Sequence, residues 1–390
     1  MLKTQRHLVD LPRELHFLNA AYMSPLLRTV EAAGIEGLRA KRVPTRIGPA
    51  SFFADADRVR QLVSTLVQAR DVDATAQRVA LIPAVSYGMA TIARNVELAK
   101  GQSVIVLGEQ FPSHVYPWRQ LARDVGATVQ TVDAPSRLGT PGRGASWNER
   151  LMESIGRDTA IVAIPNVHWA DGTVFELEAV GARCREVGAA LVVDGTQSVG
   201  ALPFDVDAVQ PDALVCAGYK WLLGGYGMGV MILGDRFVDG RPLEENWIAR
   251  AGSEDFGGLV EYEDAYAPGA VRFDVGERSN PILLPMLAAG LEQILAWTVG
   301  AIQERCEFLA DRIVTGARQL GYGAEDAPAR AGHLFGLAPP PGVSLAAVQE
   351  AMTAHNVSVS YRGAAIRVSP HVYNDERDVD ALLTALEAAV

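Results

Sequence analysis

Cysteine is scarce in this sequence. The 390-residue chain has three cysteines, Cys184, Cys216 and Cys306, and they lie far apart. A sparse and odd-numbered set excludes a disulfide framework and indicates reduced thiols. The CxxC spacing that is typical of metal-binding cysteines is absent, so we expect no metal site.

Long apolar runs and basic clusters are missing as well. The N-terminus, MLKTQRHLVDLPRELHFLNA, has no apolar stretch long enough for a signal peptide, and no later run approaches the length of a membrane span. The formal net charge is −11 and no block of Lys and Arg stands out, which argues against nucleic acid and anionic membranes as partners. These absences predict a cytoplasmic protein.

Short β-rich runs alternate with helical patterns through the middle of the chain. The runs, in chain order, are RVALI, SVIVLG, TAIVAIP, ALVVDG, ALVCAG and GVMILG. Strands separated by helical segments indicate βαβ units and a mostly parallel sheet that is covered on both faces. After about Asp274 a long helical stretch precedes short strands and a terminal helix, which predicts a smaller α/β domain. We predict an N-terminal segment at residues 1–20, a large domain at 21–275 and a small C-terminal domain at 276–390.

A glycine run, GGYGMG, contains Gly225, Gly227 and Gly229. It loosely fits a dinucleotide-binding fingerprint, but that fingerprint must follow a strand and open a helix. This run leads into an apparent strand instead. We therefore predict a tight hairpin or a close approach of two backbones.

One lysine stands in a segment that is otherwise typical of a protein interior. Lys220 lies in CAGYKWLLGG, although lysine is rarely buried. Upstream, Asp194 ends the apolar run LVVD, where open α/β sheets bind ligands, and Gln197 follows by three residues. A carboxylate at that place is either a cap or loop residue or a functional group. A lysine amine in a dry pocket has a lowered pKa and attacks carbonyl groups, and a carboxylate that faces the ring nitrogen of pyridoxal phosphate lets the ring act as an electron sink.

The spacing of Asp194, Gln197 and Lys220, together with its flanks, resembles the class V aminotransferase family of fold-type I pyridoxal-phosphate enzymes. This family includes cysteine desulfurases, selenocysteine lyases, kynureninases and isopenicillin-N-epimerase-like proteins. The likeness begins at FLNAAYMSPL, residues 17–26, and ends at AIRVSPHVYNDERDVDALL. It implies an α/β fold in which a large cofactor-binding domain, with a mostly parallel seven-stranded sheet, precedes a smaller α/β C-terminal domain.

The resemblance also implies roles for individual residues around pyridoxal 5'-phosphate. Lys220 is expected to form the Schiff base, Asp194 to pair with the pyridinium nitrogen and Gln197 to contact the ring hydroxyl. Phe111, in EQFPSHVYPW, takes the place of the residue that stacks on the ring, and its alternative is a core phenylalanine. Tyr219 takes the place of a kynureninase tyrosine whose hydroxyl reaches the phosphate.

The family's phosphate-binding loop usually reads Gly-Thr-Thr before a helix. Here the same place holds Ala84, Val85 and Ser86, so the first glycine and one hydroxyl are missing. A helix N-terminus still offers free N–H groups to a phosphate, and Ser86 can add its hydroxyl or serve only as an N-cap. We assign Val85 and Ser86 to the cofactor.

Further residues are assigned by their place in the family pattern. Trp169 stands where many members carry an asparagine near the ring hydroxyl, although an indole donates only one hydrogen bond and accepts none. His168 beside it is the other candidate for that pocket. His114 either faces the substrate or is an ordinary loop histidine. Arg367, in AIRVSPH, is expected to bind the substrate α-carboxylate, its alternative being a solvent-facing ion pair, and Asn19 is also assigned to the substrate.

The segment RFDVGERSNPI resembles the part of the family's dimers that reaches the phosphate of the neighbouring subunit. Glu277 replaces the usual threonine, which leaves Arg278, Ser279 or Asn280 for that contact, and we assign it to Ser279. The resemblance thus implies a homodimer whose active site is shared between subunits.

The sequence disfavours some of the reactions that the family catalyses but does not select a single one. Desulfurases carry a nucleophilic cysteine shortly before the arginine, and the corresponding span here, VSVSYRGAAIR, has none. The leading interpretation is an aminotransferase-type enzyme that acts on an amino acid. A kynureninase-like or C–S lyase and an amino-acid epimerase are the alternatives, a desulfurase ranks below them, and a cofactor-binding pseudo-enzyme ranks last.

Overall fold

The computed structural model describes every residue from 1 to 390. The chain forms thirteen strands: β1 (His16–Phe17), β2 (Val79–Ile82), β3 (Ser103–Leu107), β4 (Thr128–Val132), β5 (Thr159–Pro165), β6 (Ala190–Asp194), β7 (Ala213–Ala217), β8 (Gly229–Leu233), β9 (Gly323–Ala324), β10 (Phe335–Ala338), β11 (Val357–Ser358), β12 (Ser360–Arg362) and β13 (Ala365–Val368).

Twelve α-helices accompany the strands. They are α1 (Arg28–Ala40), α2 (Ala54–Leu66), α3 (Val72–Ala76), α4 (Val85–Asn95), α5 (Tyr116–Val125), α6 (Arg143–Ser154), α7 (Leu177–Val187), α8 (Val206–Val209), α9 (Leu283–Trp297), α10 (Val299–Gln319), α11 (Leu345–Ala354) and α12 (Glu376–Ala388). Short 3-10 turns lie at Arg6–Leu8, Pro44–Arg46, Pro49–Phe52, Pro112–His114, Trp247–Ala249, Gly258–Val260, Gly269–Phe273 and Ala327–Ala329.

A seven-stranded sheet forms the larger part of the fold, in the order β2-β8-β7-β6-β5-β3-β4. Strands β4, β3, β5, β6 and β7 run parallel, and β8 is antiparallel to both β7 and β2. The prediction of a mostly parallel sheet is confirmed. Strand β4 was not among the predicted runs, because its residues TVQTV lie at the sheet edge, partly exposed, and form no apolar run.

The sheet is buried on both faces, as its unbroken apolar strands predict. Along β3, Ile105 and Leu107 join the core beneath α6 and α7, whereas Val104 and Val106 join the core beneath α4 and α5. Successive side chains of a strand point to opposite faces, so helices must cover both.

A second, four-stranded antiparallel sheet, in the order β12-β13-β10-β9, lies in the C-terminal part. It packs with α10, α11 and α12 around a separate apolar core. Strand β1 pairs in parallel with β11, so the N-terminus joins this part of the molecule. Helix α9 contacts α1 and α2 and shares its core with the large sheet. The division into domains stays a prediction.

No single helix combines the length and the apolar composition that crossing a membrane requires. Helices α9 and α10 meet that description only when they are taken together, and the chain bends by 75° between them.

The glycine run after Lys220 makes the turn between β7 and β8. Gly227 has φ +95°, and a Cβ atom added to Gly229 would lie 2.6 Å from the carbonyl oxygen of Cys216. Only glycine meets both requirements without strain. Of the two predicted alternatives, the close backbone approach is confirmed, whereas the hairpin is not tight, because residues 218–228 connect β7 to β8.

A similar close approach holds the chain that follows Lys220, and it can be tested. Gly290 of α9 packs on that chain, since a Cβ added there would lie 2.6 Å from the carbonyl oxygen of Leu222. Gly290→Ala should lower the free energy of unfolding by about 1–3 kcal/mol, the usual cost of overpacking. Urea unfolding followed by circular dichroism measures it.

Gly300→Ala in α10 is the matched control. Nothing lies within 4 Å of a Cβ added to Gly300, and alanine favours a helix over glycine by up to about 1 kcal/mol. This variant should be as stable as the parent chain or slightly more stable. Equal stabilities of the two variants would contradict the close approach at Gly290.

Candidate active site

A cleft opens at the carboxyl ends of the parallel strands. Strands β3, β5, β6 and β7 end there, and β2 points the same way, so the segments that follow them meet at one edge of the sheet. The residues that line this cleft are Pro83, Ala84, Val85, Ser86, Phe111, Ser113, Trp169, Asp194, Thr196, Gln197, Ala217, Tyr219, Lys220, Tyr226, Gly227 and Met228. We call it the strand-end cleft.

Lys220 is buried in the cleft without a counter-ion. It is 8% exposed, and its Nζ lies 5.7 Å from the ring centre of Phe111 and 5.5 Å from that of Tyr219. Burial and the neighbouring Arg367 together lower the pKa of Lys220 to about 8, although Asp194 opposes them. Roughly a tenth to a fifth of this amine is therefore neutral near physiological pH and able to act as a nucleophile or base.

Asp194 and Gln197 are held by the turn that follows β6. One carboxylate oxygen of Asp194 accepts the N–H of Thr196 at 2.9 Å, and no protein group donates to the other. The Gln197 amide donates to the Ala21 carbonyl at 3.1 Å and accepts from the Trp221 indole at 2.9 Å. These bonds fix the orientation of the Gln197 amide, which keeps one N–H free at the cleft.

The N-terminus of α4 forms one end of the cleft. The N–H groups of Val85 and Ser86 find no backbone acceptor, and the Ala84 N-cap makes no side-chain cap. Ala84 has extended backbone, with φ −161°, so this turn does not need the family's glycine. Free N–H groups and the positive end of the helix dipole suit a phosphate.

Two aromatic rings form a wall of the cleft. Phe111 and Trp169 meet edge to face, with ring centres 5.3 Å apart. The indole N–H of Trp169 donates to the carbonyl oxygen of Glu109 at 2.6 Å. That donor is already used, so Trp169 differs from the asparagine whose place it takes and offers the cleft its ring alone.

Arg367 lies beside this wall, with its Cζ atom 6.0 Å from the Trp169 ring centre, and has no acid to pair with. Its guanidinium donates to the Trp169 carbonyl at 2.9 Å and to the Ser360 hydroxyl at 3.3 Å. The other buried arginines, Arg60, Arg143, Arg278 and Arg305, all form ion pairs with carboxylates. Burial, together with the charge of Arg362 nearby, lowers the pKa of Arg367 to about 9. A buried cation that lacks a counter-ion favours binding of an anion.

Asn19 acts on Arg367 through a third residue. The Ser360 hydroxyl donates to Asn19 Oδ1 at 2.8 Å while it accepts from Arg367. Asn19 therefore helps to orient the guanidinium and does not line the cleft itself.

Two predicted histidines lie outside the cleft lining. His168 is 1% exposed, and its ring nitrogens face an oxygen of Asp171 and the carbonyl of Gly108, both at 3.1 Å. His114 is fully buried beside Trp118, and neither of its ring nitrogens has a partner. Burial lowers the pKa of His114 to about 4, although Asp194 opposes this effect. Their assignment to the substrate is not supported by these positions.

The segment after Asp274 does not reach the cleft of its own chain. Ser279 donates its hydroxyl to the Phe52 carbonyl at 2.6 Å. Arg278 is paired with Asp274, and the Asn280 side chain caps the start of α9. The expected contact of Ser279 with a partner's cofactor stays a prediction.

Four residues at or beside the cleft were not singled out from the sequence. Thr196 holds Asp194, Ser113 and Tyr226 line the opening, and Arg362 lies over the Trp169 ring with 5.3 Å between Cζ and the ring centre. Thr196 and Tyr226 stand inside the motifs DGTQ and GGYGMG, so the sequence pattern could have identified them as cleft residues. Ser113 likewise stands two residues after Phe111 in EQFPSHVYPW, whereas Arg362 had no such signal, because its place beside Trp169 depends on packing between distant segments.

None of the three cysteines lines the cleft. All are buried and unpaired, and burial raises the pKa of each thiol: that of Cys184 to about 12, and those of Cys216 and Cys306 further above the ordinary value. They belong to the apolar core of the large sheet. A thiol that stays protonated and enclosed is a poor nucleophile.

The cleft suits pyridoxal 5'-phosphate, because each feature of that molecule meets an unsatisfied group. The α4 N-terminus with the Ser86 hydroxyl can hold the phosphate, and the free Asp194 oxygen can face the ring nitrogen. Phe111 offers a flat surface to the ring, and the unpaired Lys220 amine can bond to the aldehyde carbon. These residues would hold the cofactor.

Comparison with known proteins agrees with this chemistry. A family model described as Aminotransferase class-V matches residues 50–243. The uncharacterized aminotransferase YcbU of Bacillus subtilis (strain 168) is 24% identical and covers 80% of this chain and 79% of its own length. A probable cysteine desulfurase of Pyrococcus abyssi is 26% identical over 75% and 73%. The isopenicillin N epimerase of Amycolatopsis lactamdurans is 26% identical over 98% and 97%.

Solved structures share the whole fold. A cysteine desulfurase from Thermococcus onnurineus NA1, in its apo form, has a TM-score of 0.80 and 20% identity over 99% of this chain and 98% of its own. A variant of the cystine C–S lyase C-DES, with glycine covalently linked to its pyridoxal-phosphate cofactor, has a TM-score of 0.82 and 19% identity over 98% and 99%. The predicted fold-type I architecture is confirmed.

The lowered pKa of Lys220 predicts how its reaction with the cofactor depends on pH. Because only the neutral amine attacks an aldehyde, covalent attachment of pyridoxal phosphate to the apo-protein should accelerate as the pH rises through about 8. Arg367→Gln removes a cation that lowers this pKa, so the midpoint should move to higher pH. Borohydride trapping followed by mass spectrometry measures the attachment rate.

Lys220→Ala is the control for that measurement, and no residue that lines the cleft should carry a trapped adduct in this variant at any pH. A midpoint that stays unchanged in Arg367→Gln would contradict the electrostatic coupling between the two groups. Covalent attachment that survives in Lys220→Ala would contradict the assignment of the lysine.

Proposed function

Because the chain belongs to the class-V aminotransferase family and is a pyridoxal-phosphate-dependent enzyme, we propose that it is an aminotransferase-type enzyme. In this proposal an α-amino acid binds in the strand-end cleft and gives up its amino group, which then passes to a 2-oxo acid. The alternatives are elimination, as in a C–S lyase or a kynureninase-like enzyme, and epimerisation.

The observation that carries this proposal is the inventory of proton-transfer groups in the cleft. Among the lining residues, Lys220 is the single amine, and the other titratable groups are the Asp194 carboxylate and the phenols of Tyr219 and Tyr226. Transamination requires one group that moves a proton between two carbons on the same side of the ring. Epimerisation requires a second base on the opposite side of the α-carbon, and no imidazole or thiol lines the cleft, which leaves the phenols of Tyr219 and Tyr226 for that role. Burial raises the pKa of Tyr219, which opposes its action as a base.

The chain's residues have distinct tasks in this scheme. The bound cofactor supplies the electron sink that makes the α-proton of the amino acid acidic. Arg367 holds the α-carboxylate, and Asn19 orients the guanidinium through Ser360. Lys220, with a pKa of about 8, removes the α-proton and returns it to a neighbouring carbon.

Desulfuration by a protein persulfide finds no support in the cleft. That chemistry needs a cysteine thiolate at the substrate, whereas the cysteines of this chain are enclosed in its core. Two of the relatives that carry other names, a probable desulfurase and an epimerase, are each 26% identical to this chain, so their activities do not transfer to it directly.

An amino-acceptor assay tests the proposal. The cofactor-loaded protein is incubated with a panel of amino acids, with and without 2-oxoglutarate or pyruvate. We expect turnover that depends on the acceptor and stoichiometric formation of the acceptor's amino acid, detected by chromatography. Lys220→Ala should lower the rate by at least about 100-fold, the scale of a lost general base.

Other outcomes of this assay would overturn the aminotransferase proposal. Release of ammonia, alanine or sulfide without a 2-oxo acid indicates a lyase. Loss of optical purity of the amino acid, with incorporation of solvent deuterium at the α-carbon and no acceptor requirement, indicates an epimerase.

We also propose that two copies of the chain form the functional enzyme, in the cytoplasm, where its unpaired cysteines stay reduced. Large aromatic side chains remain exposed beside the cleft, with Tyr226 69% and Tyr22 56% exposed, as expected of a surface that a second copy covers. Light scattering coupled to size-exclusion chromatography should give twice the chain mass of 41.8 kDa. A monomer of full activity would contradict the dimer and the role of Ser279.

A further inference from the structure

We propose that Arg362 forms a second anion-binding subsite beside the strand-end cleft, and that the substrate is an α-amino acid whose side chain carries a negative charge. The inference rests on the proposed function, since it takes Arg367 as the group that binds the α-carboxylate. It adds the chemical class of the side chain, which neither the family nor the relatives specify.

The hairpin of β12 and β13 places both guanidinium groups on one face. In its register Ser360 lies opposite Arg367 and Arg362 lies opposite Ala365. Residues opposite each other share a face, and so do residues two apart along a strand. Arg362, Ser360 and Arg367 therefore point to the same side of the hairpin.

That side faces the aromatic wall of the cleft. The Cζ atom of Arg362 lies 5.3 Å from the Trp169 ring centre, and the Cζ atom of Arg367 lies 6.0 Å from the same centre. Trp169 lines the cleft. The indole thus has two cations beside it, and Arg362 also lines the neighbouring cavity that contains Glu109 and Asp171.

Arg362 has donors to spare. It donates from Nη1 to the carbonyl oxygen of its neighbour Tyr361 at 2.7 Å, while its Nε is buried and has no acceptor. No carboxylate lies within ion-pair distance of its guanidinium, although Glu109 lies across the hairpin turn, 3.7 Å from a Cβ placed on Gly363. A partly buried guanidinium with unused donors is suited to a bidentate contact with a carboxylate-like anion.

The charge around the cleft also calls for more than one anionic group. Lys220, Arg362 and Arg367 are set against a single carboxylate, Asp194, which the cofactor ring is expected to use. Arg362 helps to lower the pKa values of both Lys220 and Arg367, so its charge is felt at both. The cofactor phosphate is expected at the N-terminus of α4 and not at the hairpin, so one α-carboxylate held by Arg367 leaves Arg362 without an anionic partner. An anionic side chain compensates it, and a dicarboxylic 2-oxo acid acceptor fits the same pair.

Binding of matched amino-acid pairs tests the subsite. L-glutamate is compared with L-glutamine, and L-aspartate with L-asparagine, by titrating the absorbance of the cofactor-loaded protein. The members of each pair are nearly isosteric and differ in charge. We expect the acidic member to bind about 10- to 100-fold more tightly, the range of a charge-assisted hydrogen bond.

Three variants separate the possible roles of the arginine. Arg362→Gln should remove the preference for the acidic member by weakening its binding about 10- to 100-fold and leave binding of the amide within about twofold. Arg362→Lys keeps a point charge without the planar fork and should lie between the two. Arg157→Gln is the matched control, because Arg157 is exposed, lies outside any ion pair and precedes β5 at the far end of the sheet; it should change nothing.

Each contrary result has a defined meaning. If Arg362→Gln weakens binding of acidic and neutral amino acids equally, the contact of Arg362 with Trp169 has a structural role and the subsite is overturned. The subsite is also overturned if the parent enzyme binds the amides as tightly as the acids. Arg367→Gln should weaken both members of each pair. If the subsite fails while Arg367→Gln behaves in this way, the proposed function stands; if no amino acid perturbs the parent enzyme, both proposals fall.

Discussion

A lysine amine held in a dry cleft without a counter-ion is the constraint around which the rest of the site is arranged. Burial alone makes the charged form of Lys220 costly, and the guanidinium groups of Arg367 and Arg362 add to that cost. The negative charge of Asp194 opposes this effect, but Asp194 forms no ion pair with the amine. The balance leaves a pKa of about 8, at which the amine can bond to a carbonyl carbon and later act as a base.

The aromatic wall beside the lysine and the arginines is itself held by a buried polar network. Arg143 pairs with Asp171 at 2.7 Å and with Glu325 at 2.8 Å, and Asp171 also faces His168 at 3.1 Å. Burial raises the pKa of the Asp171 carboxyl, but His168 and Arg143 together hold it below its usual value. His168 thereby fixes the loop that carries Trp169. His168, which the sequence pattern suggested as a substrate-binding residue, thus has a structural role.

The two parts of the molecule meet at that loop. The Arg367 guanidinium donates to the Trp169 carbonyl across 198 residues of sequence. A group from the C-terminal sheet is thus placed against a loop from the large sheet, and the N-terminal Asn19 completes the arrangement through Ser360. Substrate recognition is therefore assigned to a contact between segments, whereas cofactor binding is assigned to strand ends of one sheet.

The residues at strand ends could be predicted from the sequence because local pattern places them. An unbroken apolar run ends at Asp194, another ends shortly before Lys220, and parallel strands bring such ends to one edge. The close backbone approach at GGYGMG could be predicted in the same local way, from the missing side chain of glycine. Strand β4 escaped prediction because an edge strand that faces solvent carries no apolar run.

What only the tertiary structure decided is which side chains oppose one another. The sequence contains Arg362 and Arg367 as two arginines among many, and only the register of β12 with β13 puts them on one face beside Trp169. In the same way, only the structure shows that His114 and His168 are buried outside the cleft lining, and that the indole N–H of Trp169 donates to a backbone carbonyl. The local chain determines where a strand ends, whereas packing between distant segments determines which charges remain uncompensated there.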